Sequence, residues 1–202
     1  ETSFRSSGGT SSTLSVLRMS SASNTRAYGA IPAGDLDTGE LQVFRIATNA
    51  AGGSQITYAH FGAVADRSVA IGPALATPTV GNAATTPNLR PRVQLPLQAE
   101  YDLSVGARFQ QSAPHHVSIE ATSAYLGNPS SWDITVPDFS EVDGWDANWG
   151  LDPAEQYSWS VFGFGGTWEW YDEPAAGTIG RLASIWQPQS VLQDGTPQPF
   201  LQ

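Results

Sequence analysis

Aromatic and acidic residues interleave from Trp132 to Tyr171, and this stretch gathers most of the side chains that could do chemistry. Trp132, Trp145, Trp149, Trp159, Trp168, Trp170 and Tyr171 are set among Asp133, Asp138, Glu141, Asp143, Asp146, Asp152, Glu169 and Asp172. An exposed indole offers a broad flat face on which a sugar ring stacks, and carboxylates at its edge bind hydroxyls. The same indoles serve as core packing or as anchors of a protein interface, where Trp and Tyr carry much of the binding energy. The candidate contact residues are therefore Trp145, Trp149, Trp168, Trp170 and Tyr171, with a protein partner as the first reading and a glycan as the second.

Other chemistry finds less support. Asp138, Glu141, Asp143 and Asp146 could offer hard oxygens to calcium, but the spacing of a helix-loop-helix calcium site is absent, and acidic loops are commonly just solvated. His115 and His116 are sequence neighbours at the start of an expected strand, so they point to opposite faces and do not chelate one metal. His60 stands alone in an apolar segment. No nucleophile elbow, zinc-protease helix or phosphate-binding loop occurs. A glycosidase needs only two carboxylates at the right separation, which spacing in sequence does not reveal. The expectation is a non-catalytic protein with no cofactor and no metal.

Composition narrows the class further. The chain has 202 residues, 40% of them hydrophobic, enough to build real cores. There is no cysteine, hence no disulfide and no thiolate chemistry. Net charge is −10, every basic residue is Arg, and seven of the nine Arg precede residue 93. Between Trp132 and Glu173 there are ten carboxylates and no Arg, a face that repels phosphate and argues against nucleic acid. No apolar run reaches the roughly 18 residues that a membrane-spanning helix needs. The sequence opens at Glu1 rather than Met, so a mature exported chain, periplasmic or at the cell surface, is expected.

The elements that must position these residues read as strands. Period-two alternation marks 13–19, 26–31, 41–47, 55–61 and 67–71, with Gly52-Gly53 as a hairpin turn. Pro73, Pro78, Pro87 and Pro91 punctuate an extended connector. Seven further strands are expected at 92–95, 101–109, 117–125, 132–136, 156–164, 167–171 and 178–185, with at most a turn of helix around 140–149. Leu103, Val105, Ile119, Ile134, Trp159 and Val161 fall on their core faces. The fold class is all-β, two β-sandwich units: an extended leader at 1–12, an N-terminal β-domain at 13–86, a second sandwich at 87–187 and an extended Gln/Pro-rich tail at 188–202. One larger sandwich sharing strands across the connector is the alternative.

Leu151, Pro153 and Tyr157 lead into the alternating strand Ser158-Trp159-Ser160-Val161. This Leu-x-Pro-x-x-x-Tyr run resembles the tyrosine corner of fibronectin type III and immunoglobulin-like sandwiches. The resemblance implies a buried Tyr157 whose hydroxyl bonds to backbone a few residues upstream. Residues 95–101, 132–140 and 144–151 also look like fibronectin-like domains of bacterial exported proteins, although no Trp occupies the early strand. Sandwiches of this type host many functions and bring no catalytic residues of their own. Periplasmic β-sandwich subunits of bacterial membrane complexes, accessory subunits of photosynthetic reaction-centre assemblies among them, look like this in outline. The expectation is an accessory subunit that docks on other protein subunits, with carbohydrate binding as the alternative.

Overall fold

The computed structural model describes residues 1–18, 25–111, 115–168 and 172–187. Among them the protein is all-β, with β1 (Thr2–Arg5), β2 (Ser11–Ser15), β3 (Leu41–Ala50), β4 (Gly53–Phe61), β5 (Thr79–Ala84), β6 (Arg90–Pro96), β7 (Ser104–Gln110), β8 (His116–Thr122), β9 (Ser131–Thr135), β10 (Ser158–Gly166) and β11 (Ile179–Trp186). They form an eight-stranded sheet in the order β2-β1-β3-β4-β11-β10-β7-β8 and a three-stranded sheet, β5-β6-β9. All pairings are antiparallel.

Alternation decides which faces meet. Val105, Ala107 and Phe109 on β7, Val161 on β10 and Ala183 on β11 point one way, and Val93, Leu95, Trp132 and Ile134 on β6 and β9 answer them. Leu151 and Tyr101 close this core, and all of these side chains are buried. Of the six expected core residues, Val105, Ile134 and Val161 are buried, Ile119 and Trp159 pack partly buried against the cluster, and Leu103 is half-buried. The register carries the same sheet face on to Thr57 and Ala59 of β4 and to Phe44 of β3. Irregular chain covers it there instead of a second sheet. Tyr28 packs edge-on to Phe44 and Phe61 at 4.5 and 6.0 Å, and Gln42 exchanges hydrogen bonds with the backbone of Ile31. Arg67 lies over the Phe61 ring, 4.6 Å from its centre.

The large sheet draws strands from both sides of the proline-rich connector, because β4 hydrogen-bonds to β11. The segment expected as a leader supplies β1, which pairs with β3, and the first two residues of β2. The expected strands at 26–31 and 67–71 are instead irregular segments that cover the Phe44–Phe61 end of the sheet. Residues 167–168 follow β10 as a bend, and the rest of the strand expected there lies outside the described residues, as does the tail at 188–202. β3 and β4 join through a tight turn in which Gly52 has φ of 81°, a left-handed value that costs glycine nothing. The turn expected within 140–149 is a single 3-10 turn, Ala147–Trp149.

The Tyr157 corner differs from the expectation. Tyr157 is half-buried, edge-on to Phe109 at 5.5 Å, and its hydroxyl donates to Asn82 Oδ1 at 2.8 Å rather than to backbone upstream. Pro153 is exposed, while Leu151 fills the end of the core and bridges to Leu89. The tyrosine that is buried with its hydroxyl on a backbone carbonyl is Tyr101, which donates to Pro73 O. Burial, reinforced by the charge of Glu100 and opposed by Arg181, pushes its hydroxyl up to about 12.

Candidate functional site

The loop between β9 and β10 carries the aromatic–acid cluster, and both of its ends are tied down. At the start, Arg90 Nε donates to Val136 O at 2.9 Å, and its guanidinium lies 3.6 Å from the Asp138 carboxylate. At the end, the buried Gln111 side chain donates to Asp152 O at 2.7 Å and to Glu155 O at 3.1 Å. It also accepts from Asp152 N at 2.8 Å. Within the loop, Trp145 N reaches Val142 O, and Asp146 caps the 3-10 turn by accepting from Asn148 N at 2.9 Å. A loop anchored in this way presents its side chains on a fixed frame.

The aromatic rings pack on one another as the chain turns. Phe139 and Trp145 are 5.0 Å apart and tilted by 32°, while Trp145 and Trp149 meet at 5.7 Å and 90°. Trp145 is half-buried and lines an apolar notch of ≈ 20 Å³ shared with Leu89, Val117, Val136 and Leu151. That volume admits one water-sized group and no sugar ring. Trp145 Nε1 is shielded from solvent without a hydrogen-bond partner. Such a donor is satisfied only when a water or an incoming group supplies an acceptor. Trp149 stands outward with 61% of its surface exposed, and Val142, two residues from Gly144, is 54% exposed. Glu141, Asp143 and Asp146 of the same loop are also exposed.

Trp168 belongs elsewhere. It is half-buried, edge-on to His60 at 4.7 Å and to Phe164 and Tyr58 at 6.0 Å each, with Nε1 donating to Asp172 O. Phe164 pairs with Ser104, whereas Val117 of the Trp145 notch pairs with Phe109, five residues further along β7. At about 3.4 Å per residue the two aromatic groups are separated by about 17 Å along the strands. Alternation from the buried Val161 also puts Phe164 on the face turned away from the three-stranded sheet. The structure therefore does not bring Trp145, Trp149 and Trp168 to one surface. Trp170 and Tyr171, with Glu169, lie outside the described residues. Trp132 is core, buried at 1% exposure.

The acidic loop residues do not converge. Asp138 accepts from Ser140 N at 3.0 Å, which with Arg90 nearby holds its carboxyl below the usual carboxylate range. Among the described residues no three of His, Asp and Glu are placed to hold a metal ion. Asp133 lies outside the loop surface and makes a bidentate pair with Arg92, whose hydrogen bonds depress its carboxyl. His60 is buried. Its Nδ1 lies 3.1 Å from Thr178 Oγ1, a hydroxyl that also donates to Ala175 O. Burial lowers the His60 imidazole below its ordinary value, Arg5 adding to this and a hydrogen bond to the Thr178 backbone opposing it.

None of the described helical turns is long and apolar enough to cross a membrane. No family model, no curated protein and no solved structure matches this chain.

Proposed function

We propose that this protein is a non-catalytic docking subunit of a larger, membrane-associated protein assembly, exported from the cytoplasm, whose contact surface is the β9–β10 loop. The observation that carries the reading is Trp149, a large aromatic held 61% exposed on a loop that is fixed at both ends and also carries the exposed Val142. Outward Trp on a rigid support is the residue type that most often anchors an interface, since it offers large apolar area at little entropic cost. Exposed Glu141, Asp143 and Asp146 lie on the same loop, so the complementary partner surface is apolar with basic groups near it. The fibronectin-like character of the second half enters this reading on Leu151 and the Tyr157–Phe109 contact alone.

Trp149→Ala tests the assignment. It removes little packing within the subunit, so the thermal midpoint stays within about 1–2 °C of wild type. Retention of partner subunits in native purification falls at least about tenfold, as for an interface anchor. Retention equal to wild type removes the loop from the contact. The glycan alternative rests on the same exposed indole. Among the described residues the neighbouring ring, Trp145, stands at 90° to Trp149, so the pair makes no flat platform. A glycan array that returns hits abolished by Trp149→Ala would favour it over a protein partner.

A further inference from the structure

The eight-stranded sheet ends at β8, which pairs only with β7 among the described residues. Exposed strand edges are templates for further pairing, and proteins usually blunt them with Pro, Lys, bulges or short length. β2, at the opposite edge, is five residues long and meets β1 across a register irregularity. β5 begins after Pro78 and carries an irregularity between Asn82 and Ala84, and β9 sets the Arg92-paired Asp133 on its short edge. β8 has none of these devices. It runs seven residues in unbroken register, without Pro, Lys or Arg.

The hydrogen-bond parity of this edge is fixed by its neighbours. Ser123 N donates to Leu103 O at 2.8 Å and Gln111 N to His115 O at 3.0 Å, continuing the β7–β8 register at both ends. Odd-numbered residues therefore turn their backbone groups toward β7. His116, Ser118, Glu120 and Thr122 turn theirs to the open edge. Their side chains are exposed, while Val117, Ile119 and Ala121 lean toward the core.

We propose that two copies of this chain join antiparallel through β8, with the two-fold axis passing at Ser118. This register keeps the parity, because it sets even residues against even residues. It places His116 of each copy opposite Glu120 of the other, twice over, and Val117 opposite Ile119, also twice. An imidazole facing a carboxylate and a pair of β-branched side chains are both favourable cross-strand partners. Moving the axis to Ile119 also preserves parity but sets Glu120 against Ser118 and brings the two Glu120 carboxylates onto a diagonal. The self-complementary pattern selects a second copy over a foreign strand. One seven-residue edge is small beside a standard interface, so the association is weak and reversible.

The absence of cysteine makes the test direct, because each introduced thiol is unique. Opposed residues in a hydrogen-bonded antiparallel pair have Cα atoms about 5.5 Å apart, within disulfide reach. Ser118→Cys is expected to oxidise to a covalent dimer at least about tenfold faster than the exposed control Ser12→Cys, a difference that follows from local thiol concentration. A mixture of His116→Cys and Glu120→Cys chains should give the mixed dimer in preference to either homodimer. Sedimentation of the unmodified chain from about 1 µM to about 1 mM should show a monomer–dimer equilibrium. Ser118→Pro, whose lost N–H faces the open edge, should abolish it. If that variant does not fold, Ser118→Lys serves the same purpose by placing like charges on the axis. A monomer at all concentrations with Ser118→Cys no faster than the control overturns the proposal. Preferential coupling of Ser118→Cys with Glu120→Cys chains overturns the register.

Discussion

Tyr101 and Gly72 should be energetically coupled, although 28 residues separate Tyr101 from the carbonyl it binds. The hydroxyl of the buried Tyr101 donates to Pro73 O, fastening the connector onto the sandwich core. Tyr101→Phe removes the bond, a loss of about 0.5–1.5 kcal/mol, since Pro73 is exposed and water can reach its carbonyl. Gly72 has no positive φ, so alanine is conformationally admissible there. Its Cβ, however, would lie 2.5 Å from the Tyr101 hydroxyl and 3.1 Å from Arg181 Cδ. Overpacking of this kind costs about 1–3 kcal/mol. Deleting the hydroxyl relieves the nearer clash and leaves only the contacts at 3.1–3.2 Å, so the double variant should be more stable than the sum of the single losses by about 1 kcal/mol or more. Urea unfolding of the four proteins at matched slope gives the coupling. Additive losses would refute the reasoning, as would a neutral Tyr101→Phe.

Two further outcomes follow from burial. Trp132→Ala empties the centre of the β6–β9 side of the core and should cost about 3–5 kcal/mol in unfolding free energy, where Trp149→Ala costs about 0.5 kcal/mol or less. A comparable loss at the two positions in chemical denaturation would show that Trp149 is not outward. His60 should make the protein acid-sensitive: its imidazole is lowered in the folded state from 6.5, so the unfolded chain takes up the proton first. The stability present above that unfolded value is lost as pH falls through the lower folded one. His60→Asn should flatten this part of the profile as pH falls below 6.5 in thermal melts, and an unchanged slope would show that His60 does not titrate on unfolding.

How much of this was legible in the sequence varies by element, and the reasons are physical. β6, β8 and β9 were visible because each has one face buried, and burial on one face writes a period of two, as in Val93 and Leu95, whereas β3, β4 and β7, buried in part on both faces, showed through their β-branched and aromatic content. β1 and β5 carry too little apolar pattern. Thr2 is buried as a polar residue, and Val80 is the one large apolar side chain of β5. The segment 26–31, expected as a strand, lies across the sheet end as irregular chain, with residues 28–31 all half-buried rather than alternating. Tyr157 drew the eye by its local motif, whereas the buried tyrosine tie is made by Tyr101 to a carbonyl far away in sequence, and no local spacing encodes that. The insertion of β11 beside β4 is non-local in the same way. At the site, residue types marked the loop but not exposure. Trp132 alternates with the buried Ile134 and Val136, a core signal that the surrounding acids obscured, and Trp168 joins His60 and Phe164 at the far end of the sheet.

The docking reading meets its most direct test in native membranes of cells making either wild type or Trp149→Ala at equal level. Both are purified gently, and the co-purifying chains are quantified against the thermal midpoint of each preparation. The account predicts a defined set of partner subunits with wild type and at least about tenfold less of them with the variant, at an unchanged midpoint. Wild type that fractionates away from membranes without partner subunits, or partners retained equally by Trp149→Ala, would contradict it.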